Sequence, residues 1–217
     1  MVLLDAMGVG RGDWVALIGG GGKTTLLHQL GREARAAGIS CLLTTTTRML
    51  PSPEVMAGPV DSAGKLTALR PGQIELARRR GGFELVVVEA DGSRGLPLKA
   101  HAAHEPVVPE QTTCLVAVAG LLALGRSLQE GQVHRPELLA RRLGIPPGAS
   151  VGPEVFVLAV REYLRLPVPG RRIVVLNQAR NPALCRAGRE IAAELAGART
   201  MVLVRGEAVP SGVEVFR

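Results

Sequence analysis

The sequence predicts an α/β fold in three layers, with a mostly parallel central sheet flanked by helices. Three observations predict it. The apolar run Trp14-Val15-Ala16-Leu17-Ile18 leads through four glycines into Lys23-Thr24-Thr25 and an amphipathic helix, which is the strand, loop and helix order of a phosphate-binding loop. Further continuous apolar runs at 39–43, 83–88, 114–119, 172–176 and 200–204 alternate with helical patterns, as parallel strands buried on both faces do. Polar residues follow three of those runs: Thr44 to Thr47 after one, Glu89 and Asp91 after another, Asn177 after a third. In an open parallel sheet the carboxyl ends of the strands line the ligand crevice.

Each part of the glycine loop has a physical task. Glycines let the backbone close around an anion because no Cβ blocks the approach. The helix that follows adds unsatisfied N–H groups and the positive end of its dipole. Gly19, Gly20, Gly21, Gly22, Lys23, Thr24 and Thr25 are therefore the candidate nucleotide-binding residues, with Lys23 on the outer phosphates and the Thr24 hydroxyl on Mg²⁺. The loop is a tightened variant, since Leu17 stands where the standard pattern has its first glycine. A flexible linker is a poorer reading, because a core strand and a patterned helix bound the run.

The other elements follow in order. Residues 1–12 read as a leader or edge segment. The helix over 24–37 puts Leu27, Leu30, Ala34 and Ala37 on one face, and Gly38 stops it. The threonines that end the next strand place Thr44, Thr45 and Thr46 beside the loop, as candidate contacts to phosphate or a metal-bound water. Residues 46–70 are loop-rich, a place for a mobile loop or small hairpin. A short helix over 71–80, with Ile74 and Ala77 inward, ends in a solvated arginine cluster. The strand over 83–88 delivers Glu89 and Asp91 to the crevice, where carboxylates hold Mg²⁺ or position water; with Lys23 they are the candidate catalytic residues, and with Thr24 the candidate metal ligands. The stretch 94–109 is a basic, proline-broken loop. An inserted helical segment occupies about 120–168, with helices opening at Pro136 and Pro153, and Phe156, Val160 and Tyr163 along one face of the second. Asn181-Pro182 caps a last helix carrying Leu184, Gly188, Ile191 and Leu195. All 217 residues fit a single domain.

Composition narrows the partners. The chain is 47% hydrophobic, which excludes disorder, and 2% aromatic, which removes the stacking surface used on single-stranded nucleic acid. The net charge of +7 favours anionic ligands. Lysine occurs at Lys23, Lys65 and Lys99 alone, so a lysine in the glycine loop is not incidental. Cys41, Cys114 and Cys185 are scattered without a C-x-x-C pair, as suits a reducing, cytoplasmic compartment, and no apolar run is long enough to span a membrane.

Several separated motifs carry a resemblance. The run 18–25, the threonine tract 44–47, the segment 88–99 with its Glu-Ala-Asp-Gly-Ser-Arg, His104-Glu-Pro and His134-Arg-Pro-Glu together resemble the YqeC-type selenium-dependent hydroxylase accessory proteins. The resemblance implies a P-loop NTPase-like protein, linked to the maturation of molybdenum hydroxylases that carry a selenium-containing cofactor. Asn177-Gln178-Ala179-Arg180 stands where related GTPases carry Asn-Lys-x-Asp. Asn177 is then a candidate base contact, while Arg180 in place of the aspartate leaves ATP and GTP both open.

The expectation is a Mg²⁺-dependent protein that binds and hydrolyses ATP or GTP to assist cofactor insertion or maturation, with Arg94, Lys99 and His104 facing a second anionic ligand or a client protein such as a molybdenum hydroxylase. A homodimer is compatible with this. An ATP-dependent small-molecule kinase or ligase acting on an anionic cofactor precursor is the alternative. A module with a relict loop, or a nucleic-acid binder, fits the residues less well.

Overall fold

The computed structural model describes residues 3–195, 197–206 and 209–216. Its elements alternate along the chain as α1 (Leu3–Met7), β1 (Trp14–Gly19), α2 (Lys23–Ala36), β2 (Cys41–Thr45), β3 (Val55–Met56), α3 (Pro71–Gly81), β4 (Leu85–Glu89), β5 (Cys114–Gly120), α4 (Pro136–Leu143), α5 (Pro153–Leu164), β6 (Arg171–Ala179), α6 (Pro182–Glu194), β7 (Arg199–Gly206) and β8 (Val209–Phe216). The strands form one sheet in the order β3-β2-β4-β1-β5-β6-β7-β8. Every pairing up to β7 is parallel, and β8 closes the sheet antiparallel to β7. This is the mostly parallel, helix-flanked sheet that the apolar runs predict.

Alternation within the central strands divides the core between two faces. Val15, Leu17, Leu43, Leu85 and Val87 face α1 and α2. Ala16, Ile18, Leu115, Ala117, Val174 and Leu176 face α4, α5 and α6, while Trp14, Val86 and Val88 pack on Ile74 of α3. β1 is buried along its whole length between β4 and β5, so every one of its side chains is apolar or glycine.

Four expectations need correction. Residues 3–7, read as part of a leader or edge segment, instead form α1, whose Leu3, Leu4, Ala6 and Met7 are buried against α2. Ala37 does not continue the inward stripe of α2 but is its exposed C-cap. The loop-rich stretch after β2 holds the expected small hairpin, with Val60 and Leu66 bridged antiparallel, but it also contributes β3, which pairs parallel to β2. The strand over 200–204 does not complete the sheet, because β8 pairs beyond it. Among the described residues no helix is long and apolar enough to cross a membrane.

Candidate functional site

Strand order assembles the site. β1 ends in the glycine loop, β4 on one side ends at Glu89, and β5 on the other ends at Gly120, whose register partner on β6 is Asn177. Residues more than 150 positions apart in the chain thus meet: Asn177 Nδ2 donates to Gly21 O at 2.7 Å. The loop is packed so tightly that its glycines are imposed by the protein itself. Gly19 has φ of 94°, and a Cβ there would stand 2.2 Å from Val118 O; Gly21 has φ of 83°, and a Cβ there would stand 2.5 Å from Gly120 Cα. No L side chain fits such a backbone without displacing its neighbour.

The same packing decides which amides are open to a ligand. Gly19 N–H donates to Asp91 Oδ2, Gly20 N–H to Val118 O and Gly21 N–H to Leu96 O, each at 2.9 Å. The amides of Gly22, Lys23, Thr24 and Thr25 have no acceptor among the described residues. No side chain caps α2, and its first turn holds no acid. A helix start left bare in this way is matched to an anion. The open nest therefore runs from Gly22 to Thr25, shorter than the span from Gly19 that the sequence suggests.

Charges converge under the loop. Lys23 is 3% exposed; its Nζ donates to Gly19 O at 2.6 Å and lies 3.1 Å from Asp91 Oδ1. Asp91 Oδ2 in turn is 2.5 Å from His101 Nε2 and 3.3 Å from Lys99 Nζ. Burial alone would raise the Asp91 carboxyl, but Lys23, the His101 hydrogen bond and Lys99 more than reverse that and hold it well below the usual carboxylate range. Asp91 is thus ionised and accepts only, so the hydrogen on the His101 contact belongs to Nε2. Burial holds His101 below its ordinary value against the pull of Asp91. Glu89 behaves in the opposite way to Asp91: burial pushes it up, with Lys23 and Thr24 opposing. Its Oε2 accepts from the Thr24 hydroxyl at 2.8 Å, and Thr24 is exposed at the mouth.

The remaining candidates divide between the site and its supports. Lys99 is fully buried and does not face solvent or a surface ligand; its Nζ donates to Gly92 O at 2.7 Å and to Glu105 Oε2 at 2.8 Å. Glu105 also accepts from Arg135 at 2.5 and 3.3 Å. Burial would raise Glu105, yet those two cations bring it down to about 2. The hydroxyls of Thr44, Thr45 and Thr46 donate to Met56 O, to Thr47 O and Glu89 O, and to Val107 O, respectively, so they brace the end of β2. Asn177 braces the loop through Gly21 O. Arg94, with φ of 53°, and His104 are both exposed.

Sequence reasoning gave no part in the site to His101, Glu105, Arg135 or Tyr163. The Tyr163 hydroxyl accepts from Lys99 N–H at 2.9 Å and donates to Lys99 O at 2.8 Å, and its ring stands edge-on to His101 with centroids 5.0 Å apart. Glu105 and Arg135 lie inside the His-Glu-Pro and His-Arg-Pro-Glu motifs, which was the available signal. Tyr163 gave none, because at a helical spacing it reads as core.

A metal test rests on the donor set. The Thr24 hydroxyl and Glu89 carboxylate are hard oxygens of the kind Mg²⁺ takes, leaving room for waters and phosphate oxygens. The Asp91 oxygens face cations and an amide instead. Among the described residues no group of three or more His, Cys, Asp or Glu forms an all-protein metal cage.

The family model described as YqeC protein matches residues 15–60 and 51–137. The YqeC protein of Escherichia coli (strain K12) is 30% identical over 205 residues, covering 82% of this chain and 80% of that one. The peroxisomal ATPase PEX6 of Rattus norvegicus is 33% identical over 140 residues, 64% of this chain but 14% of its own length. A solved structure of the signal recognition particle receptor SRb with GDP and Mg from Chaetomium thermophilum shares 14% identity over 92% of each chain, at a TM-score of 0.26, too low to bear on this fold.

Proposed function

The chain belongs to the YqeC family, and we propose that it is a cytoplasmic, Mg²⁺-dependent protein that binds and hydrolyses ATP or GTP as an accessory in the maturation of selenium-dependent molybdenum hydroxylases. One observation carries the nucleotide part. An uncapped helix start with four open amides stands beside a loop lysine and a hydroxyl–carboxylate pair, Thr24 and Glu89. Those are the parts a metal–polyphosphate complex needs: amides for phosphate oxygens, a cation for the outer phosphate, and oxygen donors for the ion.

Each residue has a part in this reading. The amides of Gly22, Lys23, Thr24 and Thr25 take phosphate oxygens, and Lys23 turns from Gly19 O toward the outer phosphate. Thr24 and Glu89 hold Mg²⁺, which supplies charge neutralisation for the phosphates. Asp91 is the anion that positions Lys23. Arg94 and His104, exposed on the loop after β4, are left for a second anionic ligand or the client protein. The selenium and hydroxylase assignments rest on the motif resemblance alone.

Phosphate release tests the reaction. We expect Mg²⁺-dependent release from ATP or GTP that rises on adding an immature molybdenum hydroxylase and falls at least about tenfold in Glu89→Gln, since a lost charge-assisted contact is worth ~1.5–3 kcal/mol. Turnover that instead requires a small-molecule acceptor would move the assignment to a kinase or ligase. No release under either condition would remove hydrolysis from it.

A further inference from the structure

His101 lies between two places. Its Nε2 is engaged by Asp91, while its ring also lines a cleft of about 310 Å³ whose apolar walls include Pro106, Leu166 and Val168. The imidazole is 2% exposed, yet its other nitrogen, Nδ1, has no hydrogen-bond partner among the described residues. Exposed Arg142 lines the same cleft, and its guanidinium has no partner among the described residues either. Glu105 reaches the cleft as well, but its carboxylate is already held by Lys99 and Arg135. Among the described residues of the cleft, what remains unspent is one guanidinium, one imidazole nitrogen lone pair and an apolar lining.

We propose that this cleft binds a small organic carboxylate that also carries a hydroxyl or N–H, its carboxylate on Arg142 and its donor on His101 Nδ1. Asp91 fixes the acceptor: by holding hydrogen on Nε2 it leaves the lone pair of the neutral ring at Nδ1. Guanidinium and carboxylate match in shape and in single charge. A doubly charged phosphate ester would find, among the described residues lining the cleft, one unpaired guanidinium and the neighbouring Glu105 carboxylate. The volume lies at the low end of ligand pockets, which start at about 300 Å³, so the occupant is of metabolite size and not a whole nucleotide or a peptide. The same Asp91 carboxylate is 3.1 Å from Lys23 Nζ, so a ligand on His101 is one side chain removed from the loop lysine's partner.

The test uses 4-hydroxybenzoate, benzoate and phenyl phosphate as probes, with the full chain labelled for ¹⁵N detection of histidine side chains. The expected result is saturable binding of 4-hydroxybenzoate that shifts the His101 Nδ1 signal, with benzoate and phenyl phosphate each weaker by about fivefold or more. Arg142→Ala, at an exposed position, should weaken 4-hydroxybenzoate about tenfold. His101→Gln keeps a donor for Asp91 but lacks Nδ1, and should erase the preference over benzoate. Phenyl phosphate binding more tightly, indifference to Arg142→Ala, or no saturable shift at His101 with any probe would each overturn the proposal. The readout needs no nucleotide, so it stands or falls separately from the Mg²⁺–nucleotide reading.

Discussion

At Asp91 a single carboxylate, fully shielded from water, meets the ammonium groups of Lys23 and Lys99, the His101 imidazole and the Gly19 amide. Charges so placed are tolerable only as a set, because each one left alone would forfeit its hydration without return. Lys99 passes the set on to Glu105 and Arg135. Glu105 gives the chain a pH signature. Its folded value, about 2 against an ordinary 4.5, means that its stabilisation is complete above about pH 4.5 and drains away as pH falls toward 2. Glu105→Gln should therefore lower stability at neutral pH and flatten the acid limb of the unfolding curve in that window, measured by urea titration at a series of pH values. An unchanged acid limb would remove Glu105 from the network's energetics. At this scale the sequence was partly legible. Lys23 stood out because lysine is rare and the glycines precede it, and Glu89 and Asp91 because acids end an apolar strand. That Asp91 turns inward to Lys99 and His101, while Glu89 reaches Thr24, depends on rotamers and on a loop from elsewhere in the chain, and no local pattern encodes that.

Among the elements, α5 carries a task its periodicity conceals. Tyr163, buried on the face expected to pack into the core, uses its hydroxyl to clasp both backbone polar groups of Lys99, holding the 98–101 segment against the sheet. The adjoining bridge from Lys99 to His134 ties the same segment to the entry of α4. Tyr163→Phe keeps the ring but strands a buried N–H and C=O, so it should cost about 1–3 kcal/mol in urea unfolding and loosen His101, seen as faster hydrogen exchange at 99–101. A neutral substitution would show that water replaces the hydroxyl. Strands β1, β4 and β5 and helices α2, α3 and α6 were readable because each carries many apolar residues in one period or ends in a proline or glycine signal. α1 was not, since five residues hold too little period to tell a buried helix from a leader. β8 was missed for a related reason: Pro210, Ser211 and Gly212 break its apolar alternation, and antiparallel pairing with β7 tolerates that at a sheet edge.

For the molecule as a whole, topology does what local sequence cannot. Placing β1 between β4 and β5, with β6 next, brings the loop at 19–25, the acids at 89 and 91 and the amide of Asn177 to the same end of the sheet. The sequence foretold that polar strand ends would share a crevice, but not which strands would be neighbours, and strand order is what makes Asp91 the loop's internal anion. The net charge of +7 is consistent with an anionic ligand at that end without specifying one. Calorimetric titration of the protein with ATP, GTP and their diphosphates, with and without Mg²⁺, in wild type and Lys23→Ala, reads the central claim directly. Mg²⁺-dependent binding of a triphosphate by the wild type, weakened at least about tenfold by Lys23→Ala, is the result predicted from the loss of a charge-assisted phosphate contact. Absence of binding to either triphosphate, or equal binding by both proteins, would contradict it.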